Sequence, residues 1–555
     1  MSLLQKLHQQ HYFSTLSTIF TQTLTKTDDE DILILLSYLF DQSMQGHLAI
    51  QIEEGNIQPR AQTLLTEEIR LEEDLLQEIE KRVYLGFTKM PESLIQDGSL
   101  ETSSIEKPLC RWKNYLYLQK HFVIETQFLS LLKKHTKKIP VEEEKTISSS
   151  FLEKKNLSLE QKQAIYNSFS YSLSIISGGP GTGKTFTAIH LVETFIETFS
   201  SNKPLRIILT APTGKAAFHL HEKLLQTIPC KENVTIEAMT LHSLLTIREN
   251  EENFSAKSLI EADLILVDEA SMIDGMLFFS FLLAKKPSTF CVLLGDENQL
   301  PPVGMGSFFR DLVFLGTDQF VSHLSIPYRF EKKELIWAAE KIKEGKAAAI
   351  EFLMQPSLEN IVFRDFTKVE EEIDRFIQQW YKKGQFFEGK ILSCLRKGPY
   401  GVNALNQKIF SYLGEGKKER RVPILITKNA PSLDLYNGSM GELQGNWEGN
   451  KFSIHTEAYF PHKKETMPLF SLPSYEYGYV LSVHKAQGSE FPEVLLLIPP
   501  GSESFGREIL YTAITRAQKH VTIVGHKETM VKMLAVSNEK KSALRERFFS
   551  TSGQT

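Results

Sequence analysis

At 555 residues the chain is longer than a single hydrophobic core accommodates, so roughly three or four domains are expected. Hydrophobic residues at 41% and charged residues at 24% describe an ordinary globular protein, and a formal net charge of −5 excludes no nucleic-acid partner, because an acidic total can hide a basic groove. The four cysteines, Cys110, Cys230, Cys291 and Cys394, stand far apart without a Cys-x-x-Cys pair, which argues against a zinc site or disulfide framework and fits a reducing cytoplasm.

The opening Met1-Ser2-Leu3-Leu4-Gln5-Lys6 lacks the apolar core of a signal peptide, and no apolar run is long enough to span a bilayer. Residues 1–107 are expected to form a helical, polar-faced partner-docking domain, with dense Glu and Leu at helical spacing over 67–85. The alternation over 108–118 around Lys113-Asn114 predicts a small hairpin, followed by a helix over 119–134 and a charged, Ser-rich linker over 137–150. No catalytic constellation occurs before residue 150.

The motor core is expected to begin at 151. Ser158 suits the N-cap of a helix, and Gln161, just upstream of a glycine-rich loop, carries an amide suited to an adenine edge. An apolar run, Leu173 to Ile176, then opens into Ser177-Gly178-Gly179-Pro180-Gly181-Thr182-Gly183-Lys184-Thr185 and a helical pattern starting at Phe186. Strand, glycine loop and helix in that spacing form a phosphate-binding loop, whose N–H groups and helix N-terminus attract a polyphosphate. Gly178 through Phe186 are therefore the candidate nucleotide contacts, with Lys184 on the β/γ phosphates and the Thr185 hydroxyl on Mg²⁺.

Downstream, 206–209 leads into Thr210-Ala211-Pro212-Thr213-Gly214-Lys215, which suits either a phosphate-backbone contact or an ordinary strand-to-helix turn. Thr240-Leu241-His242-Ser243 is similar, and His242 alone would more often be structural. Leu264 to Val267 is a buried strand emptying into Asp268 and Glu269, one carboxylate suited to Mg²⁺ and the other to the attacking water. A further strand, Cys291 to Leu294, ends in Gly295-Asp296-Glu297-Asn298-Gln299, where Gln299 suits the γ-phosphate.

A second α/β unit is expected over 329–417 and 476–555, without a phosphate loop. A β-rich, SH3-like insert is expected over 418–475, with turn signals at Asn437-Gly438 and Gly449-Asn450. Arg329 and Arg516 are the two arginines suited to a transferring phosphoryl group.

These blocks in this order resemble the RecD-like (Pif1-like) branch of superfamily 1 helicases, and within it the motor subunits of RecBCD-type exonuclease V. The resemblance is carried by Val267-Asp268-Glu269-Ala270-Ser271-Met272-Ile273-Asp274, Ser325-Ile326-Pro327-Tyr328-Arg329-Phe330, Leu395-Arg396-Lys397-Gly398-Pro399-Tyr400-Gly401-Val402 and Val483-His484-Lys485-Ala486-Gln487-Gly488-Ser489-Glu490-Phe491. It covers about 150–530 and implies two RecA-like lobes, the first over 151–328, closing on ATP and Mg²⁺, with single-stranded DNA across them and travel from 5′ to 3′. It further implies that the N-terminal domain docks on a RecC-like subunit and that a RecB-like subunit supplies the nuclease. Carried over residue by residue, Gln161 reads adenine, Lys184, Asp268, Glu269, Gln299, Arg329 and Arg516 run hydrolysis, and Pro212, Thr213, Thr240, His242, His484, Lys485 and Gln487 meet DNA. The segment 246–262, where relatives place a strand-separating pin, is short and polar. A stand-alone helicase and a structural subunit with a decayed ATPase are the alternatives. The first would carry tandem helix-hairpin-helix modules not seen before residue 150, and the second would not retain the ATPase residues.

Overall fold

The computed structural model describes residues 2–65, 71–99, 105–138, 155–199, 204–228, 232–245, 259–315, 320–328, 333–463 and 465–550. Arg329, the linker expected over 137–150 (apart from Lys137 and Lys138) and most of the expected pin segment lie outside the described residues.

Two parallel sheets organise the molecule. The first runs, edge to edge, Val321–Leu324, Leu173–Gly178, Phe290–Gly295, Leu264–Val267, Leu205–Ala211 and Val234–Thr240, every pairing parallel. Its strands are near-continuous apolar runs because both faces are covered. Period-2 alternation sends Ile175, Ile265 and Leu293 to a face packed by Leu277, Phe278 and Phe281, and Ile176, Leu266 and Leu294 to the face packed by Leu191, Val192 and Phe195. The second sheet runs Ile361–Arg364, Ala517–Gly525, Phe491–Ile498, Gly389–Ser393 and Val480–Ser482, again all parallel. Both place their carboxyl ends, where ligands bind in such folds, on the side that carries the sequence motifs.

Between Gly389–Ser393 and Val480–Ser482 the crossover carries an antiparallel ladder ordered Thr466–Pro468, Glu457–Tyr459, Met440–Glu448, Glu419–Ile426 and Tyr475–Tyr477, with Lys451–Phe452 paired to Met440–Glu448. Gly438 and Gly449 turn at φ +89° and +65°, as a reversing chain requires. Among the described residues this ladder has two free edges and no pairing that closes it into a barrel.

The N-terminal region departs from a purely helical expectation. Helices Glu30–Met44 and Glu73–Thr88 pack on a five-stranded sheet ordered Asn56–Gln58, Ala49–Glu53, Tyr115–Leu118, Leu109–Trp112 and Ile95–Asp97. The predicted hairpin is therefore the middle of this sheet, and a boundary at 107 would cut between Ile95–Asp97 and Leu109–Trp112. Strands of three to five residues are too short to show alternation against the surrounding helical periodicity. The hairpin is followed by the helix Gln119–His135.

The chain's last stretch leaves the second lobe and returns to this N-terminal region. Leu48 and Ala49 donate backbone hydrogen bonds to the Lys541 carbonyl, and Lys541 N–H donates to His47 Nδ1 at 2.9 Å. Helix Leu544–Ser550 brings Arg547 onto Glu125 at 2.9 Å, both side chains wholly buried, with the guanidinium 4.1 Å over the Phe122 ring.

Candidate nucleotide site and inter-lobe cleft

The strand Leu173–Gly178 delivers the glycine loop at its carboxyl end, and the helix Lys184–Phe199 leaves it. Gly181 and Gly183 adopt φ +77° and +85°, which a side chain would strain. A Cβ on Gly183 would lie 2.7 Å from Gln161 Nε2, and one on Gly178 would lie 2.6 Å from Thr182 Oγ1. Lys184 Nζ folds into the curl, donating to the Gly178 and Gly179 carbonyls at 2.6 and 3.1 Å. Thr182 Oγ1 donates to Gly179 at 2.9 Å and rigidifies the loop. Pro180 and Thr185 are part-exposed at the loop, whereas Phe186 is largely exposed and packs edge-on against His190.

Gln161 is buried and completes a capping box. Its Oε1 accepts from Ser158 N–H at 3.0 Å, which leaves its Nε2 end against the loop. Tyr328, absent from the candidates read in the sequence, donates its N–H to the Gly181 carbonyl at 3.0 Å, and its ring edges Gly183. Its signal was an aromatic immediately before Arg329.

Asp268 and Glu269 follow the central strand Leu264–Val267, next to the phosphate-loop strand's neighbour. Glu269 takes the left-handed conformation, φ +51°, and its N–H donates to Asp268 Oδ1 at 2.8 Å. Burial, and then the adjacent Glu269 carboxylate, push Asp268 up to about 7, while Lys184 pulls it down. A part-buried carboxylate pair held this way is a charge imbalance that a divalent cation would relieve. Asp268 and the Thr185 hydroxyl thus fit Mg²⁺, whose other ligands would come from phosphate and water.

The opposite wall comes from the second lobe. Tyr511 donates to Asp296 Oδ2 at 2.8 Å, and Leu300 N–H donates to Thr512 Oγ1 at 3.0 Å. Burial, and then Asp296, hold the Tyr511 hydroxyl well above its usual range. Gln299 is buried, its Nε2 3.4 Å from Asp296 Oδ2 and its Oε1 without a partner among the described residues. An acceptor left open beside the cleft suits an incoming donor.

Arg516 is 4% exposed and donates to the Thr512 carbonyl, the Ser489 carbonyl and Thr515 Oγ1 at 3.1, 3.3 and 3.1 Å. It is held by its own lobe, and the structure brings Lys215 of the first lobe beside it. Lys215 Nζ donates to Ser489 Oγ at 2.6 Å, and burial, then Arg516, draw that ammonium down to about 8. Lys215 stood in the sequence block after Thr213, without a role.

The residues expected on DNA separate into two kinds. Pro212 is part-exposed and His242 and His484 are exposed on the cleft's flank. Thr213 and Thr240 spend their hydroxyls as N-caps, accepting from Ala216 and Ser243. Lys485 is ion-paired with Glu476 of the insert at 2.6 Å, and Gln487 Nε2 lies 3.5 Å from the Leu300 carbonyl, facing the other lobe. Tyr436 of the insert stacks on Phe218, ring centroids 4.4 Å apart, and fills the space a Cβ on Gly214 would take. The insert thereby rests on the first lobe beside Pro212.

Comparison with known proteins agrees with this arrangement. The AAA-domain family matches residues 161–305 and the UvrD-like helicase C-terminal domain matches 477–524. RecBCD enzyme subunit RecD of Mycolicibacterium smegmatis is 32% identical over 66% of this chain and 70% of its own length. The same subunit of Buchnera aphidicola is 27% identical over 81% of this chain and 86% of its own. The ATP-dependent RecD2 DNA helicase of Deinococcus radiodurans is 30% identical over 66% of this chain but 48% of its own. With its two parallel-sheet lobes facing across a phosphate loop, this chain belongs to the RecD family of superfamily 1 helicases.

Proposed function

We propose that this chain is an ATP-driven 5′-to-3′ translocase on single-stranded DNA, acting on tailed or blunt-ended duplexes as the motor subunit of a RecBCD-type exonuclease V complex. One observation carries the motor reading: the phosphate loop and the Asp268–Glu269 pair open on a cleft whose far wall presents Tyr511, its hydroxyl 3.4 Å from where a Cβ on Gly179 would lie, with Arg516 on the same lobe. Lys184 and the loop N–H groups bind the triphosphate of ATP, and Gln161 with Tyr328 borders the base. Mg²⁺, when bound by Thr185 and Asp268, supplies charge neutralisation at the phosphates. Glu269 holds the attacking water and accepts its proton, Gln299 offers its open oxygen to that water, and Arg516 together with Arg329 stabilises the charge on the transferred group. Because Arg516 and Gln487 sit on the lobe opposite the loop, closing the cleft and completing the site are one event.

The subunit reading is supported by the extent of the likeness: 81% of this chain aligns with a RecBCD subunit and 66% with a RecD2 helicase. Direction of travel, RecB-like and RecC-like partners, and docking of the N-terminal region on the RecC-like subunit rest on family membership. The test is Lys184→Ala beside wild type, assayed for DNA-stimulated ATP turnover and for unwinding of duplexes with a 5′ or a 3′ tail, alone and with both partners. Wild type should unwind from the 5′ tail, and the variant should lose turnover while keeping its thermal midpoint. Wild-type turnover in the variant removes the site assignment, unwinding from the 3′ tail removes the polarity, and full activity without partners favours the stand-alone reading.

A further inference from the structure

At the junction of the second lobe and the insert lies a cavity of about 310 Å³ that the motor reading does not use. Five cationic residues line it, Lys382, Lys383, Lys417, Arg420 and Arg421, against one carboxylate, Glu419. Its floor is aromatic, with Phe386 and Tyr479 each 1% exposed. It sits at the amino ends of the lobe's strands, below Gly389–Ser393 and Val480–Ser482, so sheet polarity separates it from the cleft at the carboxyl ends.

The arginines are built in. A Cβ on Gly414 would lie 2.3 Å from Arg420 Cζ, and one on Gly384, at φ +69°, would lie 2.2 Å from Arg421 Nη1. Each glycine is thus the room a guanidinium occupies. Arg420 is stacked 4.7 Å from the Phe410 ring centroid and 4.9 Å from that of Trp447, donates to the Gly414 carbonyl at 3.2 Å, and keeps an Nε–H without an acceptor among the described residues. Arg421 is tied to Glu442. Lys383 and Lys417 stand exposed at the rim. The segment feeding the rim, Ile377–Tyr381, is a π-helical turn, an irregularity that clusters at functional positions.

We propose that this cavity binds a nucleotide unit, with phosphate on the rim lysines and Arg420 and the ring within the cavity. A guanidinium fixed between aromatic rings suits phosphate oxygens, and a concave, cation-rimmed cavity of this size suits a small polar ligand. The unit comes either from a single-stranded nucleic acid tracking this face or from a free mononucleotide. The site stands on this pocket's own chemistry and does not depend on ATP turnover.

The experiment is lysine-reactivity footprinting of the full chain by mass spectrometry, with ADP and Mg²⁺ saturating the phosphate loop, in the presence of (dT)20, of dTMP, or of neither. Protection of Lys382, Lys383 and Lys417 by (dT)20 alone identifies the strand as the source, and protection by dTMP identifies the free nucleotide. The variant carrying Lys383→Glu and Lys417→Glu should lose the protection of Lys382, the reporter lysine it keeps. If the strand is the source, it should also bind (dT)20 about tenfold more weakly and reduce the slope of log affinity against log salt by about 1.4, two phosphate contacts in single-stranded nucleic acid. DNA-free ATP turnover, measured on the same samples, should be unchanged, so the motor is judged separately. Unaltered lysine reactivity with both ligands overturns the proposal.

Discussion

Two seams hold this molecule together, and they are made differently. Beside the phosphate loop the lobes meet through single polar contacts, Tyr511 on Asp296, Leu300 on Thr512 and Lys215 on Ser489, with the buried Arg310–Glu508 pair at 3.5 Å and the Phe218–Tyr436 stack joining them elsewhere. At the other seam the C-terminal stretch joins the N-terminal region through the fully buried Arg547–Glu125 pair, Tyr115 on Glu546 at 2.8 Å, backbone pairing to Lys541, and Ala543 and Leu544 in hydrophobic cores. Contacts of the first kind contribute about 1 kcal/mol each, because water competes for the partners once the cleft opens. A buried ion pair cannot be parted without stranding a charge, which costs about 3–5 kcal/mol. The weaker polar contacts therefore lie beside the phosphate loop, and the fully buried pair lies at the other seam.

The sharpest challenge to that division is Arg516→Ala. Nucleotide should still bind, and turnover should fall about a thousandfold, the scale of a lost arginine contact to the transferred phosphoryl group, with a smaller loss of stability from its three hydrogen bonds within the lobe, about 1 kcal/mol each. Loss of nucleotide binding with normal turnover per bound ATP would reassign the residue to binding. Arg547→Ala should do the reverse: about 3–5 kcal/mol off the unfolding free energy, read from urea titration, with turnover per folded molecule retained. A variant that lost turnover while keeping its stability would show that the second seam takes part in the chemistry.

Acid should weaken the second seam through His47, and the packing around it through other buried histidines. Burial, and then Lys540 and Lys541, hold His47 down at about 3; burial, followed by a nearby lysine, holds His121 and His135 at about 4. These rings fold neutral and take up protons on unfolding near pH 6.5, so their contribution is complete above that value and is lost as pH falls toward 4. At pH 5 the cost is about 2 kcal/mol per histidine, and His47→Gln should flatten part of the slope of urea midpoint against pH between 7 and 5. An unchanged slope would mean that His47 does not fold neutral. The smallest effect belongs to Tyr511→Phe. Losing one cleft contact, about 1 kcal/mol, should appear as a severalfold rise in the KM for ATP with little change in the urea midpoint. A larger shift in stability than in KM would place Tyr511 in the structural seam.

The phosphate loop, the Asp268–Glu269 strand end and the Asp296–Gln299 turn were legible because phosphate chemistry demands those residue types at those spacings, directly after buried strands. The strands of both lobes were legible for a similar reason: burial on two faces makes them continuous apolar runs. The N-terminal sheet was not, since its short strands carry little periodicity and Ile95–Asp97 pairs with Leu109–Trp112 across the expected domain boundary. Nor could spacing reveal that Lys485, expected on DNA, is paired with Glu476, or that Thr213 and Thr240 spend their hydroxyls on helix caps.

By itself, then, the order of residues determined the strand-loop-helix units, the chemistry each loop offers, and the family they form. Tertiary structure alone decided the partners: Lys215 beside Arg516, Tyr511 on Asp296, Arg547 beneath Glu125, and two glycines clearing space for the guanidiniums of a second pocket. Local rules reach only a few residues along the chain, whereas these contacts, Gly414 with Arg420 excepted, join groups from about forty to several hundred residues apart. They exist because sheet order and core packing bring distant segments to the same point, and only there does burial set what each charge must find.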